Sequence, residues 1–200
     1  MRYLTVITGV MVLAGAAHGQ IVVFDNFGPE FDYEIGTGYT VSGADGRIVN
    51  QGDAFVPSES GELAGIYIAL NLQSGSNTAL VMLHADNAGE PGAMLETWNI
   101  SDEMGQFGQW NTPLHLISVG GVELVTDQTF WVVAHGVRDV VSVWNFNNIG
   151  SVGMHASQSG GGVWDVQMGK QGAFRVDIVP APGTLALLGL GGLAAARRRR

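Results

Sequence analysis

The side chains able to do chemistry in this 200-residue chain are 18 carboxylates, 5 histidines and 5 tryptophans; cysteine is absent. Without thiols there is no cysteine nucleophile, no thiolate-held zinc or iron–sulfur cluster, and no disulfide. A serine nucleophile elbow needs Gly-x-Ser-x-Gly, and no serine here has glycine at both of those positions. His84, His115, His135 and His155 lie in the body of the chain, with no two separated by the spacing of helical zinc ligands. His84 and His135, each near a predicted strand end, are the pair that folding could unite. The simpler expectation is strand histidines with hydrogen-bonded ring nitrogens.

Glycoside hydrolysis needs only two carboxylates at the right separation, so a carbohydrate-active enzyme stays among the readings. Glu30, Asp32 and Glu34 alternate, and on a strand they would share one face. Between Phe31, Tyr33 and Ile35 they mark the solvent side of an edge strand or loop. Calcium is the metal that an acidic, cysteine-free chain suits, because it takes oxygen ligands. Asp86, Asn87 and Glu90 are its weak candidates. The same residues are ordinary turn vocabulary, so no cofactor is expected.

The tryptophans are Trp98, Trp110, Trp131, Trp144 and Trp164. An exposed indole offers a face on which a sugar ring can stack. Trp110 and Trp144, set among Asn and Gln, are the candidates, with Asn145, Asn147 or Asn148 as hydrogen-bonding partners. Trp131, between Phe130 and Val132, is expected in the core.

The elements that must position these residues are short. Ile66, Ile68, Leu70 and Leu72 alternate with Tyr67, Ala69 and Asn71, a period of two that predicts one half-buried strand. Leu80 to His84, Met94 to Ile100, Thr129 to His135, Val140 to Phe146, Val163 to Met168 and Phe174 to Val179 predict six more. Glycine-rich connections separate them, among the chain's 30 glycines. The expectation is all-β: an antiparallel sandwich or jelly roll, flanked by an N-terminal signal-peptide helix and a C-terminal hydrophobic helix. Between residues 20 and 179 stand 4 basic residues against all 18 acidic ones, a net of −14, where the whole chain carries −9. A body that acidic repels phosphate backbones and excludes nucleic acid as a partner.

Both ends read as addresses. Arg2, the apolar run Tyr3 to Ala14 and the small residues of Ala17-His18-Gly19 form a secretory signal, with cleavage leaving Gln20 first. At the other end, Pro180-Ala181-Pro182 precedes the uncharged run Gly183 to Ala196 and then Arg197, Arg198, Arg199 and Arg200. As a helix that run rises about 21 Å, against about 30 Å of bilayer hydrocarbon. The arginines would hold it with the body outside.

This tail resembles the PEP-CTERM sorting signal: a Pro-x-Pro motif, a hydrophobic span and a terminal arginine cluster. Here Ala181 stands where the usual signal has glutamate, a Pro-Ala-Pro variant. The resemblance implies export through the secretion translocon, processing by an exosortase-type membrane transpeptidase, and transient anchoring by the C-terminal helix. The destination is the cell surface, envelope or extracellular matrix. The body, with its turn at Asp86 to Gly92 and its Thr129-Phe130-Trp131-Val132-Val133 strand, resembles exported choice-of-anchor type β domains. The expected organisation is a signal peptide at 1–19, a β-sandwich at 20–179 and a sorting segment at 180–200. The leading expectation is a surface or matrix protein with no catalytic activity. A module binding extracellular polysaccharide is the alternative, and a carbohydrate-active enzyme the second.

Overall fold

Alternation of apolar with polar or small residues builds two sheets that share one buried face. The computed structural model describes residues 19–43 and 48–180. Within them run β1 (Ile21–Asp25), a 3-10 turn (Pro29–Phe31), β2 (Tyr33–Ser42), β3 (Val49–Phe55), β4 (Gly61–Ile68), β5 (Leu70–Ser74) and β6 (Thr78–Asp86). There follow β7 (Pro91–Ser101), β8 (Leu114–Ile117), β9 (Glu123–Leu124), β10 (Phe130–Gly136), β11 (Val141–Asn147), β12 (Val152–Ser159), β13 (Asp165–Lys170) and β14 (Phe174–Pro180). The five-stranded sheet has the order β1-β14-β4-β8, with β9 also on β4. The nine-stranded sheet runs β5-β11-β2-β3-β10-β6-β7, with β12 on β3 and β13 on β12. The ladders between strands are antiparallel.

Ile66, Val176, Ile178 and Leu116 from the small sheet meet Val81, Leu83, Val132, Phe55 and Trp144 from the large one in a single core. Each large aliphatic side chain so buried contributes about 1.5–3 kcal/mol. One lateral side is closed by polar links between the sheets. The Trp98 indole N–H donates to the Ile117 carbonyl at 2.8 Å, and Glu96 accepts from the Ser118 hydroxyl and the Val119 amide. The result is an antiparallel β-sandwich.

The run read as one strand from Ile66 to Leu72 is two. β4 belongs to the small sheet and β5 to the large one, and the chain changes sheet at Ala69. There the Ala69 amide donates to the Ala173 carbonyl, and the Ala69 carbonyl accepts from the Asn145 amide. The alternation survives the crossing because both strands face the same core: Ile66, Ile68 and Leu70 are all buried. The strand expected to begin at Val163 starts at Asp165, leaving Val163 almost fully exposed. The expected N- and C-terminal helices lie outside the described residues. Among the described residues no helix is long and apolar enough to cross a membrane.

Candidate functional site

Four residues that are far apart in sequence form a row across the outer face of the small sheet. Asp25 on β1, Arg175 on β14, Tyr67 on β4 and His115 on β8 are successive cross-strand partners. The His115 ring stacks on Tyr67 at 4.1 Å between centroids, nearly parallel. The Arg175 guanidinium lies 5.5 Å from the Tyr67 ring and 5.4 Å from Phe31, within cation–π range. Its Nε–H donates to Asp177 Oδ1 at 2.7 Å and an Nη2–H to Oδ2 at 3.1 Å, a bidentate pair. Gly65 leaves the room this needs, since a β-carbon there would come within 3.2 Å of His115 Nε2.

Beside the row, Gly28, Pro29, Glu30 and Phe31 line a cleft together with Asp25 and Arg175. Glu30 and Phe31 both have left-handed backbone conformations, at φ 57° and 62°. Non-glycine residues there carry strain of order 1–3 kcal/mol each, and the Phe31 ring packs against Phe27 and Tyr67. Partial burial raises the Asp25 carboxyl above the ordinary aspartate range, against the opposing effects of its Phe27 amide bond and of Arg175. Asp177 holds the Arg175 guanidinium more firmly protonated than usual. The cleft offers carboxylate acceptors and a fixed cation, and the faces of Tyr67 are taken up within the row.

A second polar group is enclosed. His155 on β12 and Asp53 on β3 share a 2.9 Å bond between Nδ1 and Oδ1, and Asp53 Oδ2 accepts from the Gly172 amide at 2.7 Å. Tyr39 lies flat on His155 with centroids 3.6 Å apart. Burial pushes the Asp53 carboxyl up, and burial together with the Asp53 charge pushes the Tyr39 phenol up to about 12. Asp53 and His155 are out of reach of solvent, so they serve the fold.

Trp144 is corrected: it is fully buried, its indole N–H donates to the Ala173 carbonyl at 3.1 Å, and its ring packs edge-on to Phe174. No sugar can reach it, because it sits on the inward face of β11. Asn145 and Asn147 are equally buried and bonded to backbone carbonyls, and Asn148 binds Asp32. Trp131 is in the packed interior, on the outer side of the large sheet, donating to Asp86 Oδ1. Trp110 is 54% exposed. Its loop is clamped at Asn111, whose amide and carbonyl both bond the Tyr33 hydroxyl and whose side chain reaches Asn71, Gln106 and Gln109.

Asp86, Asn87 and Glu90 form the β6–β7 turn. Asp86 Oδ2 accepts from the Gly89 amide, and the Asn87 side chain donates to Glu90. Among the described residues no three His, Asp or Glu side chains converge. His84 and His135 are not united: His84 opposes Trp131 and His135 opposes Leu80, about 13 Å apart along the ladder. His84 donates from Nδ1 to the Gly92 carbonyl, and burial lowers the pKa of His135. Glu30, Asp32 and Glu34 do not share a strand face, because the Pro29 turn holds Glu30 and β2 begins only at Tyr33. Glu34 instead pairs with Lys170 and Thr37, both of which lower its pKa.

At the ends, Gly19 and Gln20 lead exposed into β1, while Ala17 lies outside the described residues. Pro180 is the last residue of β14, opposite Gly61. Residues 179–200 match the PEP-CTERM protein-sorting motif. That sorting motif takes in Pro180, Ala181, Pro182 and the four terminal arginines, and all but Val179 and Pro180 lie outside the described residues. It implies exosortase-dependent sorting of an exported protein to the cell surface. No curated protein matches the chain.

The grouping of Asp25, Tyr67, Arg175 and His115 escaped the sequence reading, which had His115 only as one of four separate histidines, since cross-strand neighbours carry no fixed spacing. Their trace was Arg175 and Asp177, two residues apart on a strand and therefore on one face. Asp53 and His155, 102 residues apart, left none.

Proposed function

We propose that this protein is a surface-sorted β-sandwich module without catalytic activity, working in the cell envelope or extracellular matrix. The observation carrying this reading is the sorting motif that continues directly from the last strand of the sandwich. The use of the candidate catalytic groups supports it: His84 bonds a backbone carbonyl, His115 stacks on Tyr67 and His155 is locked to Asp53. In a host with an exosortase, mass spectrometry of the mature protein should find no residues beyond about Pro182. Recovery of an intact Arg200 end in membranes overturns processing and makes the tail a permanent anchor.

A second reading is polysaccharide binding through Trp110. Its support is an exposed indole on a loop made rigid by Asn111, so the ring is presented at little entropic cost. Affinity electrophoresis through gels of neutral polysaccharides tests it. Retardation that disappears in Trp110→Ala supports it, and unretarded wild type ends it.

A further inference from the structure

The sandwich and the sorting motif share two residues. Val179 and Pro180 open the motif, and they also close β14, opposite Glu62 and Gly61 of β4. Pro180 is buried. Gly61 is required there: a β-carbon would stand 2.6 Å from the Val179 carbonyl oxygen and 2.7 Å from Ile178 Cδ1. The sheet thus admits the end of β14 by close backbone approach.

That end is the weakest part of the strand. β1 accompanies β14 only as far as Ile178, so Val179 and Pro180 are paired on one edge alone. Proline has no N–H to give the ladder. On the far side of β4, Glu62 directly opposes Glu123, and like charges so placed weaken local pairing. Strand ends of this kind open at a small fraction of the global unfolding free energy.

Nor is there a spacer. The three peptide units from Pro180 to the uncharged run that starts at Gly183 span at most about 11 Å. A processing enzyme must take the residues on both sides of its scissile bond as extended, unpaired chain. Resting on the sorting reading above, we propose that the end of β14 gates processing: the motif becomes a substrate only when Val179 and Pro180 detach from Gly61 and Glu62. The folded sandwich sets the rate at which its own tail is handed over.

Two variants of the full chain, followed by pulse-chase in an exosortase-containing host, test this. In the first, two Gly-Gly-Ser units and a second Val-Pro pair are inserted after Pro180, leaving β14 intact and freeing the motif. Its tail should be lost at least about threefold faster than wild type, as expected when a local opening step is removed. The second carries Glu62→Cys and Val179→Cys, directly opposed positions close enough for a cross-strand disulfide in this cysteine-free chain. Oxidised, it should process more slowly than wild type, with the rate restored by reductant. If wild type is processed and neither the insertion nor the oxidised bridge changes the rate, the gate is overturned while the sorting reading stands. If wild type and the insertion are both left unprocessed, the sorting reading itself falls, and the gate with it.

Discussion

His155 and Asp53 stand directly opposite each other on β12 and β3, bonded at 2.9 Å, with both side chains essentially excluded from water. The bond ties the β12–β13 hairpin to the body of the large sheet. Removing His155 leaves Asp53 Oδ1 buried without its donor while Oδ2 keeps the Gly172 amide, which costs about 1–3 kcal/mol. His155→Ala should therefore lower unfolding stability by that amount in urea titration. The paired replacement Asp53→Leu with His155→Leu should cost less than the sum of the single substitutions. Additivity in that cycle would mean the pair is not coupled.

The same pair predicts a pH dependence. Burial raises the folded pKa of Asp53 above its unfolded value, so folding favours the protonated carboxyl. Its contribution is complete below the ordinary aspartate range, about pH 4, and is lost as pH rises through the raised folded value. Asp53→Asn keeps an acceptor for the Gly172 amide and cannot ionise. The urea midpoint of this variant should fall less than that of wild type between acid and neutral pH. Parallel curves would contradict the assignment.

Trp144 and Trp110 should behave oppositely. Trp144→Ala empties a site against Phe174 in the main core and leaves the Ala173 carbonyl with the Ala69 amide as its remaining donor, at a cost of about 3–5 kcal/mol. Trp110→Ala removes an exposed ring and should change stability by less than about 0.5 kcal/mol. Thermal unfolding of the two variants separates them.

Arg175→Lys keeps the charge and loses the fork that holds Asp177, itself buried. A lysine is also a poorer neighbour for the Phe31 and Tyr67 rings. Stability should drop by about 1–3 kcal/mol. Near-ultraviolet circular dichroism should change with it, as the rings of the outer row lose their common partner. An unchanged aromatic spectrum would show that Arg175 does not organise the row.

Much of this protein was written locally. Alternation at Ile66 to Leu72 and β-rich runs such as Thr129 to His135 announced strands, because a sheet with one face in a core imposes period two on any sequence. The tail was legible for the same reason: Pro180 to Arg200 is a linear signal, read residue by residue. β3 was not, because Asn50, Gln51 and Asp53 lie buried in it and break the apolar pattern.

Tertiary structure alone decided the rest. It placed Trp144 inside and Trp110 outside although both have polar neighbours, because the inward face of β11 is set by its pairing with β2 and β5. It sent β4 and β5 to different sheets from one continuous pattern. It assembled Asp25, Arg175, Tyr67 and His115 from four strands by register, which depends on long-range hydrogen bonding rather than sequence distance. The sequence by itself determined the strand chemistry and the address on the tail. Only the fold determined that the address begins inside the last strand, since a buried proline opposite Gly61 is a fact of pairing between chain segments more than a hundred residues apart.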